Sequence, residues 1–267
     1  MPSESKAKRR ERARKIISIL KRNYPDARIA LNFSNPLELL VATILSAQCT
    51  DKRVNIVTES LFKKYRSAAD YAAADPKVFE NEIRSTGFFR NKAKSVLGAA
   101  AKIMENFEGR VPDSMEDLLT LPGVARKTAN VVLSGAFGRN DGIVVDTHVI
   151  RLSQRLKLTA HKNNAGDKIE SDLMAQVPRQ DFAAFGNMLI WHGRLVCAAR
   201  RPDCGACTVS AHCPSATGFG RPNPPPSPAA AKIPAETSAE IDGNAVLEHT
   251  KRLSEDSFEG RAPGIEG

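Results

Sequence analysis

Apolar residues recur at intervals of three and four along most of the chain before Cys213, and a glycine or proline separates most of the segments. This spacing places the apolar side chains on one face of a helix. The segments with this pattern are SNPLELLVATILSA, DKRVNIVTESLFKKY, PKVFENEIRST, NKAKSVLGAAAKIMENF, DSMEDLLTL and ARKTANVVLSGAF. Only IVVDTHV suggests a strand, and a helix is predicted directly after it. We therefore predict an all-α fold.

The basic run KAKRRERARK near the N-terminus flows into IISIL and is predicted to form the polar face of a first helix. A localisation signal or a patch for anionic lipid is the alternative, but the run has no long apolar core beside it. No window has the roughly 18 to 20 consecutive apolar residues that a membrane span needs. The sequence predicts a cytoplasmic protein with no membrane partner.

The charge is distributed unevenly along the 267 residues, whose net charge is +9. Residues 1–218 hold 34 Lys and Arg against 22 Asp and Glu, whereas residues 219–267 hold 5 against 8. A basic folded part favours a polyanionic partner such as nucleic acid, with generic surface charge as the alternative. The segment 219–267 is rich in proline and small residues and is predicted to be a disordered tail.

Four of the five cysteines are spaced C-x6-C-x2-C-x5-C near the end of the basic part; they are Cys197, Cys204, Cys207 and Cys213. Four thiolates on short loops suit either tetrahedral zinc or an iron-sulfur cluster, and disulfides are disfavoured in a cytosolic chain. Arg200 and Arg201 lie between the first two cysteines. On a loop held at both ends by a metal centre they are candidates for phosphate contacts, or else they only keep the loop soluble.

The stretch from DSMEDLL through LPGVA to ARKTANVVLSGAF predicts two helices joined by a tight turn. The second helix is expected from about Arg126 to Phe137. Backbone N–H groups of such a turn, at a helix N-terminus, form a phosphate site that does not depend on base sequence. Lys127 lies in the first turn of the second helix, where its amine is a candidate nucleophile. An ordinary solvated surface lysine is the alternative.

Asp146 follows in VVDTHV and is predicted to cap the next helix. A capping carboxylate accepts backbone N–H bonds and is held rigidly. It is therefore suited to stabilise a cationic sugar transition state or to assist deprotonation of an amine.

With LPGVARKTA, VDTH and the cysteine spacing in view, residues 10 to 215, approximately, resemble the endonuclease III family of DNA glycosylases with associated lyase activity. The resemblance implies that Lys127 is the nucleophile and Asp146 its catalytic partner. It also implies that the four cysteines hold a 4Fe-4S cluster rather than zinc.

The same resemblance implies two helical domains with a DNA-binding cleft between them. Residues 29–140 are expected to form a six-helix barrel with a helix-hairpin-helix at about 114–137. Residues 1–28 and 141–218 are expected to form the cluster domain, which is built from both chain ends.

Two loops resemble family segments that enter DNA. LSAQCTD implicates Gln48, whose amide would fill the space left by an extruded nucleotide, and TGFFRNKA implicates Phe88 as an apolar wedge. A polar helix-end glutamine and a core phenylalanine are the alternatives. The hairpin turn implicates Leu121, Gly123 and Ala125 in DNA binding. Ala125 stands where the family usually has a second glycine, and we expect it to be helical.

These features predict a base excision repair glycosylase with apurinic/apyrimidinic (AP) lyase activity on oxidised pyrimidines in duplex DNA. The expected protein is a bacterial, nucleoid-associated monomer. Two alternatives remain: a monofunctional mismatch adenine glycosylase, and a non-catalytic DNA-binding helix-hairpin-helix protein.

Overall fold

The computed structural model describes residues 4–162 and 165–219, and these residues contain helices and no strand. The predicted all-α class is therefore confirmed. The predicted disordered tail lies, from residue 220 onward, outside the described residues. Eleven α-helices occur in this part of the chain: α1 Lys6–Asn23, α2 Pro36–Leu45, α3 Asp51–Lys64, α4 Ala68–Ala72, α5 Pro76–Glu82, α6 Phe89–Asn106, α7 Met115–Leu119, α8 Arg126–Ala136, α9 Thr147–Arg155, α10 Gly166–Met174 and α11 Phe182–Leu195. None of the described helices is long and apolar enough to cross a bilayer.

Side-chain hydrogen bonds cap the N-termini of seven of the eleven described α-helices. Asn35 precedes Pro36 and accepts the backbone N–H of Glu38 at 3.0 Å. Ser67 and Asp70 form a reciprocal capping box at the start of α4. These bonds satisfy N–H groups that have no partner within the helix, so each one sets where its helix begins.

The apolar faces of the helices assemble into two separate cores. The first core is formed by α2 to α8 and includes Leu39, Phe79 and Ile103, all fully buried. The second joins α1 to α9, α10 and α11, and its fully buried members include Ile16 and Phe185. The N-terminal helix thus packs against the last part of the described chain. The exact domain boundaries at 28/29 and 140/141 remain a prediction.

The β-branched run that suggested a strand is an extended segment passing between the two cores. Ile143 and Val145 pack against the second core, whereas Val144 is buried in the first. Successive side chains of an extended chain point in opposite directions, so this alternation serves both cores at once. It also brings Asp146, the next residue, to the boundary between the two cores.

The helix-hairpin-helix consists of α7, a tight turn and α8. Leu121 is buried and its carbonyl accepts the N–H of Val124 at 3.1 Å. Gly123 has φ +76°, and a Cβ there would lie 2.5 Å from Cβ of Ser95. A side chain at this position would therefore be strained by its backbone conformation and would clash with α6.

Ala125 is not helical, contrary to expectation. It is the N-cap of α8, with extended backbone angles of φ −94° and ψ 170°, and its carbonyl accepts the N–H of Ala129 at 3.0 Å. An N-cap residue accepts the first helical bond while it keeps non-helical angles itself. Because φ is negative, alanine is accommodated here without left-handed strain.

Candidate active site

A cleft of about 310 Å³ lies between elements that belong to the two cores. Lys127 from the first turn of α8, Asp146 from the start of α9 and Gln48 from the loop after α2 all line it. Residues more than 90 positions apart in the chain are thereby brought to one concave surface. The structure thus brings both predicted catalytic residues to the same cleft.

Asp146 is the N-cap of α9, as the sequence predicts. Its Oδ1 accepts the backbone N–H of Val149 at 2.8 Å. This bond fixes the carboxylate relative to the helix while the residue lines the cleft. A fixed carboxylate can stabilise positive charge that develops nearby without having to reorganise.

Lys127 is exposed at the cleft, as the second residue of α8. Within the described chain it takes part in no salt bridge, whereas its neighbour Arg126 is held by Glu170. An amine that is not engaged in an ion pair is available to react with a ligand in the cleft.

A buried carboxylate on α10 is tied to the hairpin helix, and sequence reasoning missed it. The Glu170 side chain is only 4% exposed, and Arg126 Nε and Nη2 donate to it at 2.6 and 3.2 Å. Asn130 Nδ2 donates to Glu170 Oε1 at 2.8 Å. A Cβ on Gly142 would clash with that oxygen, so a side chain there would displace the Glu170 carboxylate. The network fixes the first turn of α8, and therefore Lys127, against α10.

The two predicted DNA-entering residues both have left-handed backbone conformations. Gln48 has φ 53° and is exposed, and Phe88 has φ 47° and is 64% exposed. This exposure excludes the core alternative for Phe88. Phe88 does not line the cleft; it stands at the start of α6, next to Gly87.

The four clustered cysteines line one cavity near the end of the described chain. Arg155 Nη1 donates to Cys197 Sγ at 3.1 Å, and Cys207 Sγ lies 3.3 Å from His192 Nε2. Burial raises the pKa of Cys207 to about 12 and raises those of Cys204 and Cys213. No three His, Cys, Asp or Glu side chains of the described residues are arranged to hold a single metal ion.

The loop between Cys197 and Cys204 is closed by a bond from the N–H of Asp203 to the Val196 carbonyl, at 2.9 Å. Arg155 also donates to the carbonyls of Ala198 and Ala199, at 2.7 and 2.6 Å. Arg200 and Arg201 are exposed on this braced loop and do not line the cleft.

Comparison with known proteins agrees with this architecture. Residues 41–179 match the family model described as "HhH-GPD superfamily base excision DNA repair protein". The match includes the hairpin and spans helices of both cores.

The chain is 56% identical to endonuclease III of Synechocystis sp. over 79% of its own length and 95% of that protein. It also resembles two solved structures, a non-covalent endonuclease III–DNA complex and a trapped endonuclease III–DNA covalent intermediate. Each has a TM-score of 0.74 and 39% identity, and each match covers 78% of this chain and 97% of the other. The chain belongs to the endonuclease III family.

Membership of this family makes the chain a base excision repair enzyme with DNA glycosylase and AP lyase activities. The sequence had left open a mismatch adenine glycosylase and a non-catalytic DNA-binding protein. Neither is favoured by these relatives.

Proposed function

We propose that the enzyme binds duplex DNA containing an oxidised pyrimidine or an abasic site, and that Lys127 is its nucleophile. The observation that supports this assignment is the shared cleft of Lys127 and Asp146. The damaged nucleotide is extruded from the helix, at a cost of a few kcal/mol in stacking, and enters this cleft. The trapped covalent complex of a relative agrees with a covalent route.

In the first step the neutral Lys127 amine attacks C1′ of the extruded sugar. A C1′–N bond to lysine forms as the bond to the base breaks, and the base leaves with the bonding electron pair and a proton. Asp146 stabilises the positive charge that develops on the sugar and helps to remove the amine proton. Ring opening then gives the Schiff base. Loss of a C2′ proton expels the 3′ phosphate by β-elimination, and hydrolysis releases Lys127.

The hairpin is the phosphate-binding part of this proposal. The backbone N–H groups of Gly123 and Ala125 precede the positive end of α8, and the turn that presents them depends on Gly123. Gln48 fills the space of the extruded nucleotide, and Phe88 wedges between the neighbouring bases. Arg200 and Arg201 contact the backbone from their braced loop.

We further propose that the four cysteines hold a 4Fe-4S cluster. The observation that supports this is that all four cysteines line one cavity. The choice of a cluster rather than zinc rests on the likeness to the endonuclease III family. Buried thiols with raised pKa values also need a cationic partner to become thiolates. The bound cluster would cross-link the loop that carries Arg200 and Arg201.

We also propose that the enzyme acts as a monomer on chromosomal DNA, and therefore at the nucleoid.

The direct test is a nicking assay on duplex DNA with one thymine glycol, followed by borohydride trapping. Lys127→Ala is expected to lose both the nick and the trapped adduct while it still binds DNA. The matched control is Lys63→Ala, since Lys63 is exposed on α3 and paired with Glu59. A Lys127→Ala protein that still gave the adduct would overturn the assignment.

A further inference from the structure

A buried lysine on α6 joins the two loops that carry Gln48 and Phe88. Lys92 is only 5% exposed. Its Nζ donates to the carbonyl of Leu45 at 2.8 Å and to the carbonyl of Thr86 at 2.7 Å. These two acceptors are 41 positions apart in the chain, so the ammonium connects segments that have no local link.

Both acceptors are the last residues of helical elements. Leu45 ends α2 and Thr86 ends the 3-10 helix Arg84–Thr86. Carbonyls at helix ends lack a partner within the helix and have partial negative charge, so a cation is stabilised there. No salt bridge in the described part of the chain involves Lys92, and burial lowers its pKa. The two backbone carbonyls are therefore its hydrogen-bond partners. An apolar side chain could fill the same space without a buried charge, so packing alone does not account for a lysine here.

Each acceptor stands just before a residue in the left-handed conformation. Gln48 is the third residue after Leu45, and Phe88 is the second after Thr86. The other two non-glycine residues with positive φ in the described ranges are Glu108 and Lys157, just after the ends of α6 and α9. Left-handed residues are common just past a helix end. Phe88, by contrast, precedes its helix, and Gln48 lies in a loop between two helices.

We propose that Lys92 is a positioning residue that fixes the Gln48 loop and the Phe88 loop relative to each other. The two side chains then enter the duplex as one unit when a nucleotide is extruded. This inference rests on the proposed DNA contacts of Gln48 and Phe88. It concerns extrusion rather than chemistry, because Lys92 does not line the cleft that holds Lys127.

The test compares extrusion with chemistry in Lys92→Met, which keeps most of the apolar stem and removes the ammonium. Extrusion is followed by stopped-flow fluorescence of a 2-aminopurine next to the lesion in duplex DNA. Chemistry is followed by cleavage of an abasic site in single-stranded DNA, where no partner strand has to be replaced. Lys63→Met is the control for the loss of one exposed positive charge.

Losing these charge-assisted hydrogen bonds is expected to slow extrusion roughly tenfold, which corresponds to about 1.4 kcal/mol in the barrier. We expect that loss on duplex DNA, with single-strand cleavage within about twofold of the unmodified protein. Equal losses on both substrates, or no loss on either, would overturn the inference. A wild-type protein that neither nicks nor traps would instead refute the proposed function.

A second measurement does not depend on Lys92→Met folding. In the otherwise unmodified protein, Gln48→Ala and Phe88→Ala are each expected to slow extrusion. Together they should slow it by much less than the product of the single effects, because the loops act as a unit. Multiplicative effects would contradict the inference.

Discussion

The contact between Arg126 and Glu170 allows a quantitative prediction for the substitution Arg126→Met. The Glu170 side chain is 4% exposed, so without Arg126 its charge is left buried with one amide donor, Asn130. Breaking a buried pair by removing one partner costs about 3 to 5 kcal/mol. Arg126 is itself 39% exposed, so solvent partly compensates, and we expect the lower end, about 3 kcal/mol.

For a domain of this size, 1 kcal/mol shifts the thermal midpoint by about 2 to 4 °C, so Arg126→Met should lower it by roughly 6 to 12 °C. The assay is thermal unfolding of the intact protein followed by circular dichroism. Arg179→Met is the matched control, since Arg179 pairs with Asp141 but is 74% exposed. It should cost less than about 1 kcal/mol.

A second substitution separates the buried charge from lost packing. Glu170→Gln, added to Arg126→Met, removes the charge that the first change left unpaired, so it should recover part of the midpoint. Recovery identifies a buried electrostatic pair between α8 and α10. Equal effects of Arg126→Met and Arg179→Met would contradict a buried pair between Arg126 and Glu170. So would a double variant whose midpoint falls by the sum of the Arg126→Met and Glu170→Gln losses.

Three further predictions concern the turn, the cysteines and pH. Gly123→Ala should lower both the thermal midpoint and the affinity for abasic-site DNA, because the alanine would have left-handed strain of about 1 kcal/mol and would also clash with Ser95. Gly138 has φ +66° with open space around it, so Gly138→Ala is the control that should show the strain alone. A DNA affinity unchanged by Gly123→Ala would argue against the hairpin's role. Cys207→Ala should abolish the visible absorbance of the iron-sulfur cluster, whereas Cys49→Ala should keep it; retained absorbance in the former would remove Cys207 from the ligand set. Burial lowers the pKa of His148 below 6.5, so below pH 6.5 the unfolded chain gains a proton that the folded protein does not, and stability falls as pH drops through that window. Between pH 7.5 and 5.5 the thermal midpoint of His148→Gln should therefore fall by less than that of the unmodified protein. Equal falls would show that His148 is not the source of the pH dependence.

Features set by neighbouring residues were predictable from the sequence. Asn35 before Pro36 and Asp146 before Thr147 marked helix starts, since a cap bonds to N–H groups only three positions away. The turn around Gly123 was recognisable for the same reason. The choice of Lys127 and Asp146 as candidate catalytic residues needed more than local signals, because it depended on the order and spacing of three motifs.

Contacts between distant segments could not be predicted in this way. Glu170 meets Asn130 across 40 positions, and Lys92 meets Leu45 across 47. A signal was present for Lys92, which lies four residues before the buried Val96 on the apolar face of α6. A charge on an apolar face indicates a buried partner but does not tell which one.

Locating the covalent bond decides whether Lys127 is the nucleophile. The protein is trapped with borohydride on duplex DNA containing one thymine glycol, the DNA is digested to the linked sugar, and the tryptic peptides are sequenced by mass spectrometry. Trypsin does not cleave after a modified Lys127, so we expect the adduct on the first residue of the peptide KTANVVLSGAFGR, residues 127–139. An adduct on any other residue, with residues 127–139 unmodified, would contradict it.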